Sequence, residues 1–236
     1  INLPKYYYLS SNLNQQKIQK KETNEFVLTG NKKTEVLLNI DLKKNFKSFK
    51  TNDVDIITDL YNRAIDKKLT TDILNRQLTF IEDFLGEYPH KELFVDKVSQ
   101  NKNPIYGLNQ LPSFIRPFPD VFEWDITMLK ALSKKFIENT ILVDKRKDYW
   151  ITDGLQTYLM MRYVSEYYPE IKLTGNISKI WGLRNFNFSK LKFNDKYPFI
   201  YQFSARQFLD QALNTRADSL SNFNRKVVSK YKAGLG

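Results

Sequence analysis

An α+β fold is expected for this chain, and three observations lead to it. The first fifty residues break into short apolar and aromatic runs with turn residues between them, a pattern of strands. A strand pattern returns near residues 92–110. From Asp125 onward apolar residues mostly recur at helical spacing. With 236 residues, 42% of them hydrophobic and 14% aromatic, the chain can bury one large core, or one and a half domains.

In order, strands are expected at Tyr6–Leu9, Glu25–Thr29 and Thr34–Ile40, with the polar stretch Gln15–Thr23 as a loop. Ile56, Ile57, Leu60, Tyr61 and Ala64 predict a helix over Asp55–Ala64. Thr70 or Thr71 is the expected cap of the next helix, which carries Ile73, Leu74, Leu78, Ile81 and Leu85. A strand follows at Glu92–Asp96. Ile126, Leu129, Leu132 and Phe136 predict a helix over about 125–137, and a second is expected to begin near Thr152 or Asp153, a good cap, and to run to Tyr168, where Pro169 stops it. Further helices are expected over Asn176–Arg184, over Tyr197–Leu213, and from Ala217 through Val228 to Tyr231.

Thirty-seven Lys and Arg against 26 Asp and Glu give a net charge of +11, a balance that suits nucleic acid or an anionic membrane. Lysine is spread along the chain beside many Asn, Ile, Tyr and Phe, which reads as a bias of the source rather than a binding stripe. No apolar run approaches the length needed to cross a membrane. The absence of Cys is compatible with any compartment. The chain begins at Ile1 without a signal sequence and ends at Gly236 just after an amphipathic pattern, so both ends are expected to be cuts in a longer protein.

Four ordered motifs carry more information. FIEDFLGEYPHKELFV reads as helix, turn and strand. Gly107-Leu108-Asn109-Gln110-Leu111 follows, then the helix with Lys130-Ala131-Leu132-Ser133-Lys134, then Trp150-Ile151-Thr152-Asp153-Gly154. Tyr231 and Gly234 close the chain as Y-x-x-G. This series resembles the aminopeptidase-N-like (gluzincin) family of zinc metallopeptidases, with a Bacteroidetes-like source. That family carries H-E-x-x-H on one helix, then eighteen residues, then a Glu opening the second helix. Eighteen residues, 135 to 152, also separate Lys134 from Asp153 here. The resemblance therefore sets Lys130 and Lys134 where the family has its two His ligands, Ala131 where it has the general base, and Asp153 where it has the third ligand. It sets Gln110 where the family's Glu holds the substrate amine, and Tyr231 where its Tyr stabilises the oxyanion.

The resemblance implies a thermolysin-like peptidase domain, a small mixed sheet followed by a helical part, over residues 51–236 and incomplete at its C-terminus. Residues 1–50 would be the end of an N-terminal β-domain, or its junction with the catalytic domain. The spacing is kept while the chemistry is not: ammoniums stand where a dication would sit, and alanine has no proton acceptor. No zinc or other cofactor is expected, and His90, the single His, reads as a loop residue. Asp153 is expected to pair with Lys130 or Lys134 in place of the metal. The function implied is that of an inactive peptidase-like module that binds a peptide or protein, or scaffolds an assembly, in a bacterial cell envelope or periplasm. The alternatives are a metallopeptidase of altered mechanism and a basic surface for nucleic acid or membrane.

Overall fold

The computed structural model describes residues 1–105, 108, 117–144, 146–179 and 187–235. Among them the chain is α+β, with three small sheets and six α-helices. Strands β1 (Asn2–Pro4), β3 (Asn14–Gln19) and β4 (Thr23–Thr29) form one antiparallel sheet in the order β1-β4-β3. Strands β2 (Tyr8–Ser11) and β5 (Leu38–Asp41) pair antiparallel in a second. The third sheet has the order β6-β7-β8, from Lys47–Phe49, Asp55–Thr58 and Glu92–Val95. Its β7 and β8 run parallel, joined through helix α1 (Lys67–Leu85), which makes a βαβ unit. After β8 come α2 (Lys97–Asn101), α3 (Asp120–Thr140), α4 (Tyr149–Tyr167), α5 (Lys196–Arg206) and α6 (Asn222–Lys226). The last continues into a π-helical turn, Val227–Lys232.

Four expectations are corrected, besides the start of α4, which comes at Tyr149 ahead of Asp153, and the segment after β8, which is helix α2 and not strand. The stretch Gln15–Thr23 is not a loop: β3 hydrogen-bonds along the length of β4 while all six of its side chains stay exposed. Its pairing comes from the backbone, so its side chains carry no apolar alternation to read. Asp55–Ala64 is not a helix either. Ile56 and Thr58 are fully buried, their neighbours half-exposed, and the period is two. The branched Ile56-Ile57-Thr58 run suits a pleated strand, and β8 supplies its partner. Helix α1 begins earlier than expected, because Asp66 accepts hydrogen bonds from the backbone N–H of Lys68 (2.8 Å) and Leu69 (3.3 Å). Thr70 lies inside it and donates to the Asp66 carbonyl.

The C-terminal helices are the fourth. Helix α5 stops at Arg206, not Leu213, where Phe208 turns into positive φ (58°) and the Leu209 N–H reaches back to the Ser204 carbonyl. The long helix expected from Ala217 is three pieces: a 3₁₀ turn at Ala217–Ser219, then α6 capped by Ser221, then the π-helical turn. Of the helix expected over Asn176–Arg184, a 3₁₀ turn covers Gly175–Lys179 and the remainder lies outside the described residues.

Helix α3 is the axis of the molecule. Thirteen of its side chains are buried, including Ile126, Leu129, Leu132 and Phe136. They pack against α1, α4 and the third sheet, with Leu74, Leu78, Ile81, Leu93 and Leu159 in one continuous core. The N-terminal strands are tied to α3 by Lys135, which forms an ion pair with Glu35, and by the Thr34–Asn139 hydrogen bond.

At the start of α3, Asp125 is fully buried. Its carboxylate accepts from the Arg76 guanidinium (2.5 Å), Gln77, the Tyr163 hydroxyl (2.9 Å) and the Tyr168 hydroxyl (2.5 Å). Those groups come from α1 and from the end of α4, so one anion pins three helices together. Burial, followed by the nearby Asp125 charge, pushes the Tyr163 and Tyr168 phenols well up, so both remain donors. Removing the carboxylate leaves Arg76 without a counter-ion in a half-buried site. Asp125→Ala should lower the unfolding free energy by about 3–5 kcal/mol, and Asp125→Asn by less, since it keeps the shape. Urea unfolding of the two variants against the parent measures this, and an unchanged midpoint for Asp125→Ala would refute the role.

Candidate functional site

The candidate centre lies midway along α3, where that helix faces the first turns of α4. The Gln156 side chain on α4 donates to the Lys130 carbonyl on α3 at 2.8 Å and fixes the register of the pair. Lys130 is only 4% exposed, and its Nζ donates to the Asn103 carbonyl. Ala131 packs into the core. Lys134, one turn on, has a side chain 43% exposed and lies 4.0 Å from Glu138 of its own helix. The two lysines therefore do not share one environment.

The expected ion pair at Asp153 is replaced. The Asp153 carboxylate is close enough to Lys130 to favour that ammonium, yet its hydrogen bond comes from the Ser229 hydroxyl, at 2.8 Å. Ser229 sits in the π-helical turn, and this turn is what completes the centre. An added Cβ on Gly154 would lie 2.8 Å from the Ala233 Cβ, and one on Gly234 would lie 2.4 Å from the Lys230 carbonyl and 2.8 Å from Thr157. Both glycines are required by close approach of α4 to the turn. That contact supplies a packing reason for the D-G and Y-x-x-G signals beside any catalytic one. It also brings Tyr231 to the same cavity as Lys130.

Zinc needs lone pairs from His, Cys, Asp or Glu in a tight set. Here the donor set is one carboxylate already held by a hydroxyl, two ammoniums and a methyl group, which does not fit the ion. Among the described residues no group of three or more such ligands comes together. His90 is elsewhere, its ring 5.6 Å from that of Tyr88, and its pKa is lowered first by burial and then by Lys33. Gly107, Asn109, Gln110 and Leu111 lie outside the described residues, and Leu108 is buried in the core.

The cavity at the centre measures about 40 Å³ and is bounded by α3, α4, α5 and the π-helical turn. Lys130, Lys196, Lys230, Thr157, Tyr197 and Tyr231 line it. Lys230 donates to the Asn103 side-chain oxygen at 2.8 Å, so Asn103 holds two of the three ammoniums, one by its carbonyl and one by its amide. Burial, followed by the charge of Lys230, pushes Lys130 down to about 6. Burial alone pushes Lys196 down to about 7. Burial and then Tyr231 push the Tyr197 phenol up, so it stays a donor. Lys196 and Lys230 carry no motif. Only the three-dimensional packing of α5 and the π-helical turn on α4 shows them.

A second, larger cavity of about 1080 Å³ lies between β2–β3 and the third sheet. Its walls include Leu13, Phe46, Phe49 and Tyr61, with Lys44, Lys47, Arg63 and Lys67 against Glu92. Strand β6 borders it and pairs only with β7 among the described residues.

Among solved structures, a point mutant of an M1 zinc metallopeptidase from Deinococcus radiodurans is a distant neighbour, with a TM-score of 0.45 and 11% identity. The alignment covers 99% of this chain and 61% of that one, so the chain spans about three fifths of its neighbour's length. No protein-family model matches the chain, and no curated protein sequence matches it.

Two predictions follow from this geometry. Unfolded lysine holds its proton to about pH 10.4, while folded Lys130 and Lys196 release theirs near 6 and 7. Between about pH 7 and 10 the unfolded chain binds more protons than the folded one, so stability rises with pH in that window. Lys130→Met should flatten the rise, measured as urea midpoints at about pH 6.5 and about pH 9.5; an equal slope in both proteins would refute it. Gly154→Ala forces its methyl onto Ala233 and should destabilise by about 1–3 kcal/mol. Adding Ala233→Gly should recover part of the loss, as thermal unfolding of the single and double variants would show.

Proposed function

We propose that the chain is a metallopeptidase-like module that no longer cuts peptides but binds a peptide or protein. The observation that carries this reading is the state of the centre. A buried lysine bonded to Asn103 stands at the first ligand position, and an alanine in the core stands at the base position. With lysine at the first ligand position and alanine at the base position, the centre lacks the ligand set and the adjacent base by which a zinc peptidase activates water. The thermolysin-like architecture and the division near residue 50 belong to the same reading.

The larger cavity supports the binding half. An extended segment can add to the outer side of β6 by main-chain hydrogen bonds, with its side chains alternating into the groove. Four cations facing one carboxylate there favour an acidic segment.

The test uses the purified protein. After dialysis against zinc and removal of loosely held metal, no stoichiometric zinc should remain, and fluorogenic aminoacyl substrates should show no turnover. A displayed library of linear peptides should enrich acidic sequences recovered intact. Lys47→Glu combined with Arg63→Glu should reduce that capture roughly tenfold or more. Zinc-dependent turnover would overturn the non-catalytic half. Capture indifferent to the double substitution would overturn the groove.

A further inference from the structure

We propose that the 40 Å³ cavity between α3, α4, α5 and the π-helical turn is a carboxylate-binding site, with Lys196 and Lys130 as its cationic anchors. The inference rests on the reading of this centre as one that holds no metal, and it names the ligand chemistry that such a centre would take.

The Lys196 Nζ is fully shielded from solvent, and among the described residues it has no hydrogen-bond partner. The Phe193 ring lies 3.5 Å from it and covers one side. A ring face attracts a cation but supplies no lone pair to its three N–H groups. A buried polar nitrogen is ordinarily hydrogen-bonded, so an orphan lysine Nζ lining a cavity marks a missing partner. Lys130 gives one of its donors to Asn103, its one hydrogen-bond acceptor among the described residues.

The sign of the missing partner is set by the lining. Three lysines meet the cavity and no Asp or Glu lines it among the described residues. Nor does any Asp or Glu occur at positions 106, 107, 109–116, 145, 180–186 or 236. Asp153 is engaged by Ser229 and stands beside the cavity, outside its wall. Size narrows the class. One water-sized sphere needs about 10–15 Å³, so 40 Å³ has room for roughly three heavy atoms. A carboxylate group has three. Its two oxygens can accept from Lys130 and Lys196 together, and the protonated Tyr197 hydroxyl, buried at the wall, adds a neutral donor. Burial is the first cause of the lowered basicity of both lysines, as expected for amines held away from water. The carboxylate can be the terminus of a bound peptide or a free small acid.

The probe is sodium formate, titrated against the whole protein by calorimetry and by thermal unfolding, with sodium chloride at equal ionic strength as reference. Formate should raise the melting temperature above the chloride control. Lys196→Met keeps the bulk and removes the charge, and it should weaken formate binding roughly tenfold or more. Lys130→Met should do the same, so a fold defect in one variant leaves the other to decide. Alanylalanine and its C-terminal amide separate the sources: binding of the acid but not the amide assigns a peptide terminus, and binding of formate alone assigns a small acid. Equal responses to formate and chloride, or formate binding undiminished in both variants, would overturn the proposal. Neither outcome touches the absence of peptidase turnover or the groove beside β6, which have their own tests.

Discussion

The buried carboxylate of Asp125 is the constraint on which the helical part is arranged. A charge taken fully out of water is tolerable only when its lone pairs are filled. Here four side chains from α1 and α4 fill them. Each donor must arrive from a fixed direction, so the anion specifies how far α1 and α4 slide along α3. Arg76 gains further support from the rings of Tyr163, Tyr167 and Tyr168, with its guanidinium carbon 4.7–6.0 Å from their centroids. The register set at this end of α3 is then carried along the helix to Lys130, whose carbonyl receives Gln156.

The turn after α6 exerts the second constraint. A π-helical turn widens the backbone and re-aims its side chains. In this chain it directs Ser229 at Asp153, and it lays Ala233 and Gly234 against α4. Glycine at 154 and 234 follows from backbone approach, whatever the centre does chemically. Losing a glycine at such a contact disturbs the fold itself, so the packing alone accounts for both glycines.

Much of this was legible in the sequence. The helices around α3 and α4 follow from their apolar spacing, and β8 from its apolar run between turns. The segment Asp55–Ala64 was not, since Ile56, Leu60 and Ala64 fit a helical period as well as a strand's edge, and only the parallel partner β8 decides. Strand β3 was invisible because its side chains bury nothing. Asp125 was readable in part: it falls on the same stripe as Leu129, Leu132 and Phe136, and an acidic residue on an apolar face demands partners. The lysines of the centre divide the same way. Lys130 and Lys134 are conspicuous by position, yet spacing alone could not tell that one is buried and the other is in solvent. Lys196 had no signal at all, since its neighbours across the cavity come from α3 and the π-helical turn, far away in the chain.

The start and the middle of α3 both bury charged side chains and satisfy them differently. Near Asp125 the chain brings an anion to a buried cation and fills every direction with donors. At the middle of the helix it brings three lysines together and places its nearest carboxylate, Asp153, with a serine instead. The chain has 26 acidic residues, and one change among the cavity's neutral lining residues, at Thr157 for example, could have supplied a counter-ion. The burial that lowers the basicity of Lys130 and Lys196 costs stability at neutral pH. An incoming anion would remove that cost, and the free energy regained would appear as affinity for it.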